Sequence, residues 1–148
     1  MVDSAAEGRT GAEFTLDVER GKIREFARAT ASRNPAYLAD EAPVSPPTFL
    51  TTAMFWAAGE ADLWQEVKMD QRRGLHAEQE FVFTGPPPRA GTRLTGRSRI
   101  EKVFTKQGRR GGVLTFAVMV TEFRDETGTV VAYSRLTGVE AEHVAGPA

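Results

Sequence analysis

SRNPAYLADEAPVSPPTF, residues 32–49, separates two predicted helices of opposite character. Asn34-Pro35 ends the first helix, because the residue before a proline is pushed out of the helical region. Ser45 is a good N-cap for the second helix, and Pro46 stands at its first position, where a missing N–H costs nothing. Residues 48–64 are then apolar nearly all round, and a helix without a polar face is typically buried. The sequence therefore predicts a surface helix followed by a long buried one.

Further helices and strands are predicted on both sides of this stretch. The first helix, 18–30, carries Ile23, Phe26 and Ala27 on one side at helical spacing, with Asp17 as its N-cap. A short strand at 13–16 precedes it. After the second helix the apolar period changes to two, which predicts four strands at 75–83, 92–104, 113–123 and 129–140.

The order of these elements predicts an α+β domain in which an antiparallel sheet wraps around a long buried central helix. Residues 113–123 are apolar on both faces, so this strand is expected at the centre of the sheet. We expect residues 1–11 to form a flexible N-terminus, residues 12–142 the domain, and residues 143–148 a polar C-terminal tail.

Composition narrows the functional classes. The 148 residues suit one domain, with 41% hydrophobic and 26% charged residues, as in an ordinary globular protein. A formal net charge of −1 gives no global field that favours nucleic acid or an anionic membrane. The absence of cysteine excludes disulfides and thiolate chemistry, and two histidines argue against a multi-histidine metal site. We expect a cytoplasmic protein with no metal and no cofactor.

Five short motifs occur in register along the chain. They are Asn34-Pro35, Pro46-Pro47-Thr48-Phe49, His76-Ala77-Glu78-Gln79, Arg89-Ala90-Gly91-Thr92-Arg93-Leu94, and Thr121-Glu122-Phe123 followed by Asp125 and Gly128. Together they resemble the MaoC-like dehydratase family, in particular its N-terminal, FAS1-like dehydratase hot-dog domain, over residues 13–140. The resemblance implies a single hot-dog fold and the reversible hydration of an enoyl thioester held on coenzyme A or an acyl carrier protein.

The catalytic dyad of that family lies in a motif spelled roughly Asp-x-Asn-Pro-x-His. Here Ser32 stands at the aspartate position and Tyr37 at the histidine position, while Asn34-Pro35 is kept. In this respect the chain resembles the non-dyad subunit of actinobacterial (3R)-hydroxyacyl-ACP dehydratases, which pair two hot-dog subunits of which one carries the dyad. The resemblance implies a homodimer, or a heterodimer with a dyad-bearing hot-dog subunit.

His76 and Glu78 are the candidate catalytic residues. They are two apart in a predicted strand, so both side chains are expected on the same face. A histidine that is hydrogen-bonded to a carboxylate is a usable general base. The alternative is a polar pair at the dimer edge of the sheet or on its solvent face.

Two further groups of residues are candidates for ligand and partner contacts. Those expected to contact the substrate are Asn34, Thr48, Phe49, Trp56 and Phe81. The alternatives for this first group are an Asn-Pro turn at a helix end and ordinary core aromatics. Those expected to dock an acidic carrier protein or the phosphates of coenzyme A are Arg93, Arg97, Arg99, Arg109 and Arg110, with Glu101 opposing them. The alternative for this second group is the solvated outer face of two strands.

Three functional hypotheses follow. The first is a (3R)-hydroxyacyl-thioester dehydratase or enoyl hydratase subunit of a dimer, which acts either with a dyad-bearing partner or through displaced residues of its own. The second is a non-catalytic subunit that binds an acyl chain or stabilises a partner. The third is a hot-dog thioesterase or tailoring enzyme, in which Glu60 on the central helix would activate water.

Overall fold

The computed structural model describes residues 2–38, 41–57, 59, 62–109 and 111–142. It contains the surface helix α1 (Arg20–Ala29), a 3₁₀ helix over Phe49–Phe55, and a one-turn helix α2 (Trp64–Val67). Five strands complete it: β1 (Thr10–Asp17), β2 (Gly74–Phe83), β3 (Arg93–Gln107), β4 (Val113–Arg124) and β5 (Val130–Ala141). Each predicted strand is present, with ends that differ by a few residues from the prediction.

The five strands form one antiparallel sheet in the order β1-β3-β4-β5-β2. The central position of β4 confirms the expectation drawn from its two apolar faces. β1 and β2 are the edge strands, so each is hydrogen-bonded to another strand of the sheet on one side only. The predicted α+β architecture is therefore confirmed.

The main core lies between one face of the sheet, here called the inner face, and the helices. Phe123 of β4 and Leu94 of β3 are buried there against Phe49 and Leu50 of the 3₁₀ helix. Helix α1 buries Ile23 and Ala27, as its spacing predicts. Its N-cap position is occupied by Glu19 rather than by Asp17, which ends β1 instead.

The prediction of one long buried helix over 48–64 is wrong. Within this range the structure has the 3₁₀ helix Phe49–Phe55 and, separately, the start of α2. One side of the 3₁₀ helix is buried, but Met54 and Phe55 on its other side are 67% and 75% exposed. The apolar composition of this segment therefore does not bury every side of the helix. Ser45 does not cap this helix: its N–H donates to Pro88 O at 2.9 Å, and its buried hydroxyl has no partner among the described residues.

The N-terminus also differs from the expected flexible segment. A short 3₁₀ turn, Ser4–Ala6, precedes β1, and Val2 and Ala6 are buried in a second core cluster with Val67 of α2. The Asp3 N–H donates to Val67 O at 2.9 Å and fixes the turn against α2. The predicted polar tail, 143–148, lies outside the described residues. Among the described helices, none has the length and apolar character needed to cross a bilayer.

Candidate functional site

A cavity of about 350 Å³ lies between the inner face of the sheet and the helical segments. This volume is within the range of about 300–1,000 Å³ that is usual for small-molecule sites. Its walls are mostly apolar, with Leu50 and Ala53 from the 3₁₀ helix, Trp64 from α2, and Met119 and Leu136 from the sheet. The cavity is therefore suited to an apolar ligand or an apolar part of one.

The two ends of the cavity differ in polarity. At one end lie Asp62, Gln71 and His76, of which Gln71 and His76 are exposed to solvent. At the other end Phe14 and Phe123 are buried and meet edge to face, with ring centroids 6.3 Å apart. A ligand that enters at the polar end would thus have its apolar part directed toward the aromatic end.

His76 lines the polar end because of a β-bulge in β2. His76 is paired with Gly138 of β5, whereas Glu78 is paired with Thr137, so Ala77 is the extra residue. Adjacent residues of β5 face opposite sides of the sheet, and so do their partners. The His76 side chain therefore lies on the inner face, while Glu78 lies on the outer face and away from the cavity.

This bulge changes the hydrogen bonding that the sequence predicted for the pair. The His76 ring does not contact the Glu78 carboxylate; its Nε2 lies 3.1 Å from the backbone oxygen of Glu78. A carbonyl oxygen can only accept, so Nε2 carries the hydrogen and Nδ1 keeps its lone pair in the neutral ring. His76 alone of the predicted pair can present a proton acceptor at the cavity.

A loop beside the polar end is held by a cluster of charges. The Arg73 guanidinium donates to the buried Glu140 carboxylate at 2.7 Å, and the Asp70 N–H donates to the same carboxylate at 3.0 Å. Hydrogen bonds from the Arg72 side chain and backbone, with a further one from Arg73, hold the pKa of Asp70 well below its usual range. These contacts fix the residues on either side of Gln71, which lines the cavity.

Hydroxyl groups line the cavity at a second level, deeper than His76. Ser98, Thr121 and Ser134 are cross-strand neighbours on β3, β4 and β5. The Ser98 and Thr121 hydroxyl oxygens are 2.8 Å apart, and Gln79 Nε2 donates to Ser134 Oγ at 2.8 Å. We call the three hydroxyl residues, Ser98, Thr121 and Ser134, the hydroxyl row. Sequence analysis missed them, although the polar residues at alternate positions of otherwise apolar strands were a usable signal.

The family dyad positions lie in a separate turn that does not line the cavity. Ser32 Oγ accepts from the Asn34 N–H at 3.4 Å, and Asn34 Oδ1 accepts from the Ala36 N–H at 3.0 Å. Asn34 thus caps the 3₁₀ turn Pro35–Tyr37. Tyr37 is half-buried against the main core. The turn is preserved, but it holds neither a carboxylate nor an imidazole.

The residues predicted to contact substrate are distributed elsewhere in the fold. Phe49 is fully buried in the main core and Phe81 packs against it, while Thr48 is exposed. Trp56 lines a shallow depression of about 360 Å³ together with Phe26 of α1 and Phe55. The structure therefore brings none of these residues, nor Asn34, into the lining of the main cavity.

The predicted docking arginines are largely engaged within the sheet. Arg93 forms an ion pair with Asp17 at 2.6 Å and Arg99 one with Glu101 at 2.9 Å, while Arg97 donates to Gly11 O at 3.3 Å. Arg109 is exposed at the tip of the β3–β4 hairpin, and Arg110 lies outside the described residues. The pairing with carboxylates reduces the positive charge that the sequence alone suggested.

Two other predicted features bear on catalysis. Glu60, the carboxylate of the thioesterase hypothesis, lies outside the described residues. Within the described ranges, no group of three or more histidine, aspartate and glutamate side chains is arranged to hold a metal ion.

This five-stranded antiparallel sheet, with the helical segments packed against its inner face, is a domain of the hot-dog class. Residues 5–134 match the family described as FAS1-like, dehydratase domain region, and the chain belongs to that family. This match confirms the resemblance that the five sequence motifs indicated.

Relatives and solved structures agree with this assignment. A UPF0336 protein of Streptomyces coelicolor is 36% identical over 136 residues, covering 85% of this chain and 87% of the relative. The C-terminally truncated HadBC (3R-hydroxyacyl-ACP dehydratase) complex of Mycobacterium tuberculosis contains a chain that is 26% identical to this one. The two chains superpose with a TM-score of 0.71, and the match covers 90% of this chain and 96% of that chain. A chain of the ChsH1-ChsH2 complex of the same organism, 15% identical with a TM-score of 0.68, shows the fold alone; 97% of this chain and 89% of that chain are covered.

Proposed function

We propose that this chain is the acyl-chain-binding subunit of a MaoC-like (3R)-hydroxyacyl-thioester dehydratase or enoyl hydratase. It acts in a dimer with a hot-dog subunit that carries the catalytic dyad. The proposal rests on one observation: the cavity is formed, whereas Ser32 and Tyr37, at the positions of the family's acid and base, lie in a turn outside its lining. The substrate is an acyl chain held as a thioester on coenzyme A or an acyl carrier protein.

The chemistry explains why a partner is required. Dehydration needs a base that removes the α-proton and an acid that protonates the leaving hydroxyl. A serine cannot supply a carboxylate at position 32, and a tyrosine cannot replace an imidazole as a base at neutral pH. The Ser32 hydroxyl oxygen is also occupied locally, since it accepts from the Asn34 N–H. On this proposal both functional groups come from the partner subunit.

The free edge of β2 supports the assembly. This ten-residue strand is paired on one side only, by β5. Unpaired edge groups are a template for another strand, and Leu75 and Val82 on β2 are 71% and 46% exposed. The two solved neighbours described above are complexes, which agrees with a hot-dog partner.

The test is a reconstitution of hydratase activity. The purified chain is assayed on crotonyl-CoA alone, and then with candidate partner subunits that carry an intact Asp-x-Asn-Pro-x-His motif. We expect no activity from the chain alone and activity from the complex. Full activity of the chain alone would overturn the proposal, because it would require an acid and a base within this subunit.

A second candidate function is catalysis by His76 itself. It is favoured by one observation: His76 lines the cavity, and its Nδ1 accepts no hydrogen bond from the described residues. On this hypothesis His76 takes the α-proton in place of the family histidine. A His76→Ala variant that leaves the kcat of the purified complex intact would remove this hypothesis.

A further inference from the structure

The hydroxyl row crosses the inner face at a single level of the sheet. Ser98 pairs with Thr121, and Thr121 with Ser134, so the three side chains stand side by side on β3, β4 and β5. Ser98 and Thr121 are only 3% and 7% exposed, and all three line the cavity. Directly opposed residues on neighbouring strands have Cβ atoms about 5 Å apart, which is close enough for one ligand atom to contact two of them.

The hydrogen bonds within the row leave two hydroxyl donors unused. Ser98 and Thr121 share one bond, so one of their two O–H groups has no acceptor among the described residues, whichever of them donates. Gln79 Nε2 donates to Ser134 Oγ and to Arg135 O, and the latter can only accept, which fixes the amide orientation. Ser134 Oγ is therefore an acceptor for Gln79, and no described residue accepts the Ser134 O–H.

Apolar residues flank the hydroxyl row on both sides along the strands. On the side toward His76 lie Met119 and Leu136, and on the other side lie Phe123 and Ala132. A buried hydroxyl without an acceptor lowers the stability of the folded chain. Apolar residues, such as those directly above and below the row, would not have this cost. Two adjacent donors in an apolar cavity match a single carbonyl oxygen, because its two lone pairs can accept both.

We propose that the hydroxyl row is a subsite for an oxygen-bearing group within the acyl chain, a keto or hydroxyl oxygen that accepts from Thr121 or Ser98 and from Ser134. The inference rests on the proposed acyl-binding function and specifies its substrate class. The row lies four residues along β5 from the level of His76, which corresponds to about 13 Å. The oxygen is thus well inside the chain and away from the thioester end.

Tryptophan fluorescence offers a direct binding assay. The chain has two tryptophans, of which Trp64 lines the cavity and Trp56 lines the separate depression. A Trp56→Phe background leaves Trp64 as the single reporter. The Trp56→Phe protein is titrated with a series of long-chain keto-acyl pantetheine thioesters that differ in the position of the keto group. The saturated thioester of equal length is titrated in parallel, and the fluorescence of Trp64 is measured.

The key variant is Ser98→Ala combined with Thr121→Val. It removes both members of the hydrogen-bonded pair, so no buried hydroxyl is left without its partner and the fold is expected to persist. Ser134→Ala is a second, independent variant that removes the other free donor. Thr137→Val is the matched control, because Thr137 is a buried threonine of β5 that lies on the outer face and does not line the cavity.

We expect one keto isomer to bind about two- to tenfold more tightly than the saturated chain for each hydrogen bond gained. The preferred isomer has its oxygen about 13 Å from the His76 end. The preference for the keto isomer over the saturated chain is lost in the Ser98→Ala/Thr121→Val variant, weakened in Ser134→Ala, and kept in Thr137→Val.

Two failures would be distinguishable. Equal binding of keto and saturated chains, or a keto preference that survives in both row variants, overturns the subsite and leaves acyl binding intact. If no acyl thioester changes the fluorescence of Trp64 or binds by calorimetry, the acyl-binding function itself is wrong and the subsite falls with it.

Discussion

His76 and Glu78 are two residues apart in β2, yet they lie on opposite faces of the sheet. Their partners on β5, Gly138 and Thr137, are consecutive residues, and Ala77 forms the bulge between the pair. The consequence is functional, because His76 lines the cavity while Glu78 faces outward. Bulges commonly re-aim a side chain at an edge strand near a site, and this one turns a histidine toward the cavity.

The first prediction concerns this separation. In the reconstituted complex, His76→Ala should raise the KM for the acyl thioester about two- to tenfold and leave kcat unchanged, because it removes a polar contact at the cavity end. Glu78→Gln, which keeps the backbone carbonyl that His76 contacts, should change neither constant. Steady-state kinetics on both variants checks this. A fall in kcat of about a hundredfold or more for His76→Ala would instead assign the base to His76.

A second prediction tests the aromatic end of the cavity. A Cβ atom added at Gly96 of β3 would lie 2.7 Å from Phe14 Cε2, and Phe14 in turn packs against Phe123. Gly96→Ala should therefore lower the free energy of unfolding by about 1–3 kcal/mol, because overpacking forces the ring to move. Urea denaturation gives the measurement.

Gly21→Ala is the control for this change. Gly21 lies in α1 with nothing within 4 Å of the added Cβ atom. Replacing a helical glycine by alanine should raise the free energy of unfolding by about 0.5–1 kcal/mol. If both substitutions had the same sign, the contact between Gly96 and Phe14 would not control packing at this end.

The third prediction concerns acid stability. The pKa of Asp70 is held low by the hydrogen bonds from Arg72 and Arg73, so the unfolded chain binds a proton more readily than the folded one. The contribution of Asp70 is present above about pH 4 and is lost as the pH falls below it. Asp70→Asn should lower the Tm at pH 7 and reduce the further fall of Tm between pH 4 and pH 2.

Glu41→Gln, at an exposed position, is the comparison for Asp70→Asn. Thermal unfolding followed by circular dichroism across this pH range distinguishes the two. An acid transition as steep in Asp70→Asn as in the wild type would show that other carboxylates determine it.

A fourth prediction separates the docking arginines. Arg93 is held by Asp17, whereas Arg109 is exposed and forms no ion pair with the described residues. If the β3–β4 hairpin docks an acyl carrier protein, Arg109→Ser should weaken the complex more than Arg93→Ser does. Affinity measured at low and high salt checks this, because a docking contact between exposed charges is screened by salt. Carrier affinity that is indifferent to both changes and to salt would exclude this surface.

The strand pattern was predictable from sequence because alternation and turn residues determine it. β4 could be placed at the centre of the sheet from its residues alone, since it is apolar on both faces. The helix over 48–64 could not be predicted so well. An apolar run indicates that a segment favours apolar surroundings, but it does not indicate which of its residues are buried within the same chain. Met54 and Phe55, both in the apolar run, are exposed in this subunit.

The site was less predictable than the fold. Nothing in the sequence at Ala77 marks a bulge, and a one-residue shift reverses the face of every side chain beyond it. The hydroxyl row requires the register of three strands, which joins Ser98, Thr121 and Ser134 although they are far apart in the chain. Sequence alone offered His76 as a candidate, but it could not place the side chain in the lining of the cavity.

The claim that this subunit holds the acyl chain is tested most directly by blocking its cavity within the active complex. Leu136→Trp fills the cavity from β5, and Tyr133→Trp makes a comparable change on the opposite face of the same strand. We predict that Leu136→Trp lowers kcat/KM for a long-chain thioester about tenfold or more and spares crotonyl-CoA, because the indole occupies space that only the long acyl chain needs. Tyr133→Trp should affect neither substrate. Equal losses on both substrates, or unchanged long-chain kinetics in a folded Leu136→Trp complex, would contradict the account.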